Sequence, residues 1–342
     1  MATVRAAVCR RLGDPAGVAA DGPALELEEV PRRALQPSEL RIRVAAAGVN
    51  FADVLQLQGR YQEKPSLPYV PGSEVSGEVL EVGVSVYGLR IGDTVCAVVP
   101  TGGFAAECVA DVRSCWRLPA GLDVTRAAGL PIAFGTAHVA LSERARLQAG
   151  QSVLILGAGG GVGLAAVRVA KLMGARVVAV AGGAAKGAAV QSAGADVWID
   201  SSKADLNLRS EVLNSVPGGV DVLFDSVGGR AFSAGVKCVR SGGQVLIIGF
   251  ASGSIPSVAA NVVLVKNLTL HGVYWGMYLK NSPHVVSRSM RQLLVWLSQG
   301  RLDVDVCATF PLNEVHSAVR VLFERRAVGK VLLLPAGQPS RL

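Results

Sequence analysis

A strand, a glycine-rich turn, a helix and a second strand follow one another without interruption between residues 152 and 181. Ser152–Leu156 is a short apolar run, and it is followed directly by the turn Gly157-Ala158-Gly159-Gly160-Gly161-Val162-Gly163. Leu164–Met173 has the apolar spacing of a helix, and Arg176–Ala181 is a second apolar run. This order predicts the first βαβ unit of a parallel sheet that binds a dinucleotide.

The spacing Ala158-x-Gly160-x-x-Gly163 indicates what each glycine does in the turn. A side chain at Gly160 would block the approach of a pyrophosphate, and one at Gly163 would push the helix away from the strand. The helix start supplies free N–H groups and partial positive charge for phosphates. We therefore expect cofactor contacts at Gly160, Gly161, Val162 and Gly163, the alternative being a turn that binds nothing.

The end of the second strand indicates which nicotinamide cofactor would fit. An NAD site usually has an acidic residue there, about 20 residues after the turn, that holds the ribose 2′-hydroxyl. Here the strand ends in Gly182-Gly183, Lys186 comes three residues later, and Asp196 is the next acid along the chain. A small loop with a lysine accepts a 2′-phosphate that a carboxylate would repel. The sequence thus predicts NADP(H), bound by Gly182 and Lys186.

Composition limits the class of protein. The 342 residues are half hydrophobic, which is enough for two domains with real cores. Glycine, serine and proline interrupt the uncharged stretches 148–167 and 241–265, so we expect no membrane span. The net charge of +8 is scattered, which suits an anionic cofactor better than nucleic acid. Six cysteines without a CxxC pair indicate free thiols in a reducing compartment.

The chain divides into a strand-rich part and an alternating part. Up to about residue 125 short strands and turns dominate, whereas from 152 to about 272 strands and helices alternate, as in a doubly wound parallel sheet. The last segment, too small to stand alone, ends in a strand over Lys330–Leu334. We predict an α/β protein with a catalytic domain formed by residues 1–125 and 268–342 and a dinucleotide domain formed by residues 126–267.

Several further motifs occur in a characteristic order: Ala47-Gly48-Val49-Asn50-Phe51-Ala52-Asp53, Pro68-Tyr69-Val70-Pro71-Gly72-Ser73-Glu74-Val75-Ser76-Gly77, Gly92-Asp93-Thr94-Val95 and Gly329-Lys330-Val331. With the glycine turn, they make essentially the whole chain resemble the zinc-free, zeta-crystallin-like quinone oxidoreductase branch of the medium-chain dehydrogenase/reductase family. The resemblance implies a GroES-like catalytic domain, a Rossmann domain and a cleft between them. It also implies a homo-oligomer, expected as a homodimer with a tetramer as the alternative, since the sixth strand of the sheet is a usual dimer edge in the family.

The chain departs from the zinc-dependent members of that family at the ligand positions. Those members have Gly-His-Glu where Gly72-Ser73-Glu74 stands, a cysteine where Asn50 stands, and a third ligand near Leu130 or Pro131. Serine, asparagine and an apolar residue do not form a zinc site, so we expect no metal. Without a Lewis acid for an alkoxide, hydride donation from NADPH to a quinone or conjugated enone is the easier reaction.

The resemblance also implies residues that line the acceptor pocket. Asn50 matches an asparagine beside the nicotinamide that can hydrogen-bond the cofactor or the acceptor oxygen, and Tyr61 matches a pocket tyrosine. A second family tyrosine is replaced by Leu55, which makes the pocket less polar. Thr136 matches a threonine near the nicotinamide. The alternatives are a helix-capping asparagine, a surface tyrosine and an ordinary helix threonine.

Further cofactor contacts are expected at the carboxyl ends of the sheet strands, where ligands bind in such folds. They are Ser226 after the fourth strand, Ile248, Gly249 and Phe250 after the fifth, and Val273, Tyr274 and Trp275 after the sixth. Ser201 stands where relatives have a tyrosine near the ribose or its phosphate, and Arg325 matches an arginine that reaches the 2′-phosphate. For the apolar residues, core packing is the alternative.

Other interpretations stay open at this point. The substrate could be a lipid-derived alkenal rather than a quinone, and zeta-crystallin-like proteins also serve as structural or RNA-binding proteins. The final Ser340-Arg341-Leu342 resembles the Ser-Lys-Leu peroxisomal address with the positive charge kept. We therefore predict a peroxisomal location, with the cytoplasm as the alternative.

Overall fold

The computed structural model describes residues 2–13 and 24–335. They form two compact units, one made of the residues up to Ile132 and from Val304 onward, the other of Ala133–Asp303. The Ser340-Arg341-Leu342 tail lies outside the described residues, so the peroxisomal assignment stays a prediction. Among the described residues, no helix is both long and apolar enough to cross a membrane.

Strands dominate the described chain up to Arg117, and helices and strands mix after it. The described strands are β1 Thr3–Arg11, β2 Ala24–Pro31, β3 Glu39–Val49, β4 Glu74–Val82, β5 Thr94–Val98, β6 Glu107–Asp111, β7 Cys115–Arg117, β8 Ser152–Leu156, β9 Arg176–Ala181, β10 Val197–Asp200, β11 Val220–Asp225, β12 Val239–Ile247, β13 Thr269–Gly272, β14 Val306–Pro311 and β15 Lys330–Leu334. The described α-helices are α1 Phe51–Leu57, α2 Val124–Ala127, α3 Pro131–His138, α4 Gly161–Leu172, α5 Ala184–Ser192, α6 Leu208–Ser215, α7 Gly229–Cys238, α8 Ala260–Lys266, α9 Trp275–Asn281, α10 Pro283–Ser298 and α11 Val315–Phe323.

The first unit is built on a mostly antiparallel sheet in the order β14-β15-β3-β4-β5-β7, with β6 also paired to β3 and a separate β1–β2 pair. Strand β3 pairs with β4, β6 and β15, so it holds the sheet together. Its long apolar run is buried along most of its length, and α1 packs against α11. The strand-rich part of the prediction is confirmed.

The second unit is a six-stranded parallel sheet in the order β10-β9-β8-β11-β12-β13. This is the 3-2-1-4-5-6 order of a Rossmann sheet, in which the strand order reverses between β8 and β11. All of β8 is buried, as expected for a parallel strand covered on both faces by helices. The predicted doubly wound α/β class is confirmed.

The boundary between the units differs from the expected division at residue 267. Strand β13 pairs in parallel with β12 and completes the Rossmann sheet. Helix α10 buries Val286, Met290 and Leu293 on one face and packs against α9. Residues 268–303 therefore belong to the second unit, and the chain rejoins the first unit only before β14.

Candidate active site

The glycine turn has the geometry that its spacing predicts. Gly157 has a φ of 70°, which favours glycine, and Gly160 is the N-cap residue of α4. A Cβ at Gly163 would overlap the Gly157 carbonyl oxygen, whereas one at Gly160 would have only that oxygen at 3.6 Å as a neighbour. The close approach of helix α4 to the turn thus leaves no room for a side chain at position 163, whereas the backbone at position 160 stays accessible to a ligand.

Two elements flank the Gly182–Gly183 turn after β9. The aliphatic stem of Lys186 crosses the glycine turn, since its Cβ and Cγ lie 2.8 Å from where a Cβ of Gly159 would be. Ser201 is the residue directly after β10, and its hydroxyl oxygen lies 3.2 Å from where a Cβ of Gly182 would be. The structure therefore brings three of the residues predicted for the ribose end of the cofactor, Gly182, Lys186 and Ser201, to one edge of the sheet.

The strand-end residues predicted for cofactor contact lie at the same carboxyl edge. Ser226 donates a hydrogen bond from its hydroxyl to the Leu156 carbonyl oxygen at 3.2 Å. The backbone N–H of Ile248 donates to Asp225, and that of Val273 donates to Ile247. Gly249 and Phe250 follow in the loop after β12, half-buried.

Asp225 explains why the loop after β11 turns as it does. Its buried carboxylate accepts hydrogen bonds from the backbone N–H groups of Val227 and Gly228 at 3.0–3.1 Å. Burial raises the pKa of this carboxyl, an effect that the two backbone donors oppose. Asp225 is thus a structural residue that shapes the Ser226 turn.

In the second unit, the residue before Thr136 packs against Trp275. Thr136 is buried on α3, and its neighbour Gly135 faces the indole of Trp275, whose Cε2 lies 2.9 Å from where a Cβ would be. The Trp275 indole N–H is buried and has no hydrogen-bond partner among the residues that the structure describes. Tyr274, the residue before it, is 38% exposed.

In the first unit, Asn50 lies in a buried polar network with Glu74 and Lys330. The Lys330 ammonium donates to Asn50 Oδ1 at 2.8 Å, to Glu74 Oε1 at 2.6 Å and to the Val49 carbonyl oxygen at 3.3 Å. Asn50 Nδ2 donates to Glu74 Oε1 at 2.9 Å and to the Gly48 carbonyl oxygen at 3.4 Å.

The chemistry of these partners determines which way the Asn50 amide faces. An ammonium only donates, so it must meet the amide oxygen, and a carboxylate only accepts, so it must meet the amide nitrogen. The three contacts of Lys330 account for its three N–H groups. The 3.4 Å contact to Gly48 is the weaker of the two that Asn50 Nδ2 makes. Of the two Asn50 Nδ2 hydrogens, the one directed at Gly48 is therefore held less tightly than the one directed at Glu74.

Asp53 lies directly beside this network. Its carboxylate accepts from the Asn50 backbone N–H at 2.7 Å and from the Ser73 hydroxyl at 3.3 Å. Complete burial raises the pKa of the Asp53 carboxyl to about 7, the hydrogen bond from Asn50 and the Lys330 charge acting the other way. Asn50 is the N-cap residue of α1 and forms a capping box with Asp53, and its side chain also contacts Glu74 and Lys330.

Tyr61 and Arg325 also belong to the first unit. Tyr61 is half-buried just after α1, and its backbone N–H donates to the Leu55 carbonyl oxygen. Arg325 is exposed after α11, with a left-handed φ of 58°. Their predicted roles toward acceptor and phosphate stay predictions.

At the positions that hold zinc in the zinc-dependent relatives, this chain has hydrogen-bonded polar groups or apolar side chains. Asn50 is bound to Glu74 and Lys330, Ser73 donates to Asp53, and Leu130 is buried. Within the part of the chain that the structure describes, no group of three or more His, Cys, Asp or Glu could hold a metal ion.

The sequence motifs predicted no role for three of the residues that shape the site in the first unit: Asp53, Glu74 and Lys330. Lys330 did carry a signal, because it is a charged residue at the head of a wholly buried apolar strand. A buried lysine needs an acidic partner, but that partner is 256 positions away in the sequence.

A six-stranded Rossmann sheet with a dinucleotide turn, joined to a strand-rich unit, defines a two-domain nicotinamide-type dehydrogenase/reductase. Residues 36–130 match the family model described as "Alcohol dehydrogenase GroES-like domain", and residues 161–297 match "Zinc-binding dehydrogenase". The chain belongs to the quinone oxidoreductase branch of the medium-chain dehydrogenase/reductase family.

Individual relatives agree with this membership. The chain is 39% identical to "Quinone oxidoreductase-like protein 2 homolog" of Nematostella vectensis over 333 residues, which is 96% of this chain and 88% of that protein. A quinone oxidoreductase structure from Pseudomonas syringae has a TM-score of 0.88 at 26% identity, covering 97% of this chain and all of that one. A mycobacterial structure complexed with NADPH has a TM-score of 0.86 at 28% identity, with the same coverage.

Proposed function

We propose that the protein transfers a hydride from NADPH to a conjugated carbonyl acceptor, a quinone or an enone, without a metal. The choice of a conjugated acceptor depends on one observation more than on any other. At the zinc-ligand positions of the zinc-dependent relatives, Asn50 and Ser73 are held by hydrogen bonds to Glu74, Lys330 and Asp53. Such donors do not suit zinc, so an acceptor that delocalises its own negative charge is the best substrate.

The second unit supports the cofactor part of the proposal. The accessible backbone at Gly160 and the start of α4 suit a pyrophosphate. Lys186 and Ser201 flank the Gly182 turn, where an adenosine ribose and its 2′-phosphate would lie. A relative of this fold is solved in complex with NADPH. When bound, NADPH supplies the hydride, and the protein positions it and excludes water.

In the first unit, Asn50 is the residue that we assign to the acceptor oxygen. Its orientation is set by Lys330 and Glu74, and the N–H now directed at Gly48 at 3.4 Å is the one that would donate to the developing oxyanion. Losing such a donor costs about 1–3 kcal/mol. We place Tyr61 at the same pocket as a lining residue, as the resemblance implies.

The experiment is NADPH oxidation against a panel of quinones and enones, with secondary alcohols plus NADP⁺ as the opposite test. We expect turnover with conjugated acceptors and none with alcohols. Asn50→Ala should lower turnover about tenfold or more. Asn313→Ala, an exposed asparagine of the same unit, is the matched control and should keep full turnover. Efficient alcohol oxidation, or full activity of Asn50→Ala, would contradict the proposal.

An alkenal reductase is the alternative within the same reaction class, and the products separate the two. Quinone reduction yields a hydroquinone, whereas double-bond reduction of an enal yields a saturated aldehyde. The proposal that the reaction needs no metal has a separate test. Stoichiometric zinc found by elemental analysis, or loss of activity when a chelator is added, would refute it.

A further inference from the structure

An acid meets the Gly182–Gly183 turn from the neighbouring strand. Strand β10 runs parallel to β9, with Asp200 opposite Ala181, so the two strands end side by side. Asp200 Oδ1 accepts hydrogen bonds from the Gly183 backbone N–H at 2.8 Å, from the Ser202 backbone N–H at 2.9 Å and from the Ser202 hydroxyl at 2.7 Å. The sequence order hides this acid, because it is the last residue of β10 and does not come at the end of β9.

Asp200 keeps its negative charge at neutral pH. The hydrogen bond from the Gly183 N–H, followed by those from Ser202, lowers the pKa of this carboxyl below its ordinary value. Gly183 is the N-cap residue of the nine-residue helix α5. An intramolecular anion therefore already occupies the first N–H group at the start of this helix, where the partial positive charge favours anions.

The same turn has groups that favour a phosphate. Lys186 lies on the first turn of α5 and its stem crosses Gly159, and the Ser201 hydroxyl lies beside Gly182. A cofactor ribose placed at the end of β9 would thus meet a cation, a hydroxyl and a carboxylate at the same turn.

We propose that Asp200 is a specificity-determining residue that limits the preference of this protein for NADPH over NADH. This inference depends on the proposed nicotinamide-cofactor site. A 2′-phosphate at the turn is repelled by the carboxylate and competes with it for the Gly183 N–H. The free 2′-hydroxyl of NADH instead finds an acceptor. Lys186 and Ser201 act in the opposite direction, so the preference is a balance between these groups.

The test is calorimetric titration of the full-length protein with NADPH and with NADH, separately. Asp200→Asn removes the charge but keeps a side-chain oxygen for the Gly183 N–H. It should tighten NADPH binding about three- to tenfold, as expected for one partly screened charge near a phosphate. NADH binding should stay the same or weaken. Asp205→Asn is the matched control, since Asp205 is an exposed acid of the same loop, and should leave the ratio of the two affinities unchanged.

The outcomes separate this inference from the proposed function. A ratio that moves less than twofold in Asp200→Asn, or that moves equally in Asp205→Asn, overturns the role of Asp200 alone. If the wild-type protein binds neither NADPH nor NADH, both the role of Asp200 and the proposed function are overturned. If Asp200→Asn does not fold, Asp200→Ser must give the same direction of change in the ratio.

Discussion

The ion pair between Lys330 and Glu74 should be among the most sensitive points of the first unit. The two side chains are 4% and 0% exposed, and their charged atoms are 2.6 Å apart. Lys330→Met keeps similar bulk, but within residues 2–13 and 24–335 it leaves the buried Glu74 carboxylate with only the Asn50 side chain and the Ile132 N–H as donors.

Removing one partner of a buried pair costs about 3–5 kcal/mol, because the remaining charge has lost its counter-ion in a medium that solvates it poorly. We therefore expect Lys330→Met to lower the free energy of unfolding by about that amount. Glu74→Gln in the same protein removes the stranded charge, so the double variant should recover more than about 1 kcal/mol relative to the single one.

Urea denaturation, followed by circular dichroism, measures these free energies. Lys171→Met is the matched control, because its pair with Asp196 has side chains that are 33% and 37% exposed. Such exposed pairs contribute about 0–1 kcal/mol. If Lys330→Met and Lys171→Met lose equal free energies of unfolding, the buried pair is no more sensitive than the exposed one. Strictly additive effects of Lys330→Met and Glu74→Gln would show that the two side chains do not stabilise each other.

Three further predictions concern the second unit. Burial lowers the pKa of His138 from its ordinary 6.5 to about 4, so the unfolded chain binds a proton at this imidazole more readily than the folded protein does. The free energy of unfolding should therefore fall by about 3 kcal/mol from pH 7 to below pH 4. In pH-dependent denaturation, the contribution of His138 to this fall should vanish in the His138→Gln variant. Gly163→Ala should abolish nucleotide binding in calorimetry, because the new Cβ overlaps the Gly157 carbonyl oxygen, while Gly272→Ala, which meets no neighbouring atom, should bind normally. Lys186→Ala should weaken NADPH binding more than NADH binding; equal losses would show that the lysine does not contact the 2′-phosphate.

Local patterns were sufficient to predict the Rossmann unit. Each parallel strand is an apolar run bounded by turn residues, and Ser152–Leu156 leads directly into the glycine turn, so both the element types and their order can be read along the chain.

Contacts between distant parts of the chain were not predictable in this way. Asp200 reaches Gly183 only because β10 and β9 lie side by side, and Lys330 meets Glu74 only because β15 and β4 both flank β3. Strand pairing of this kind depends on the whole sheet and leaves no periodic signal. The expected division at residue 267 likewise differs from the structure, in which β13 pairs with β12 and the second unit extends to Asp303.

Isotope transfer tests whether a hydride passes directly from NADPH to a conjugated acceptor. NADPH carrying deuterium at the transferable position of the nicotinamide is incubated with the protein, an enone and a metal chelator, and the product is analysed by mass spectrometry. We expect one deuterium at the β-carbon of each reduced product and undiminished turnover in the chelator. Product without deuterium, or turnover that stops when metal is removed, would contradict it.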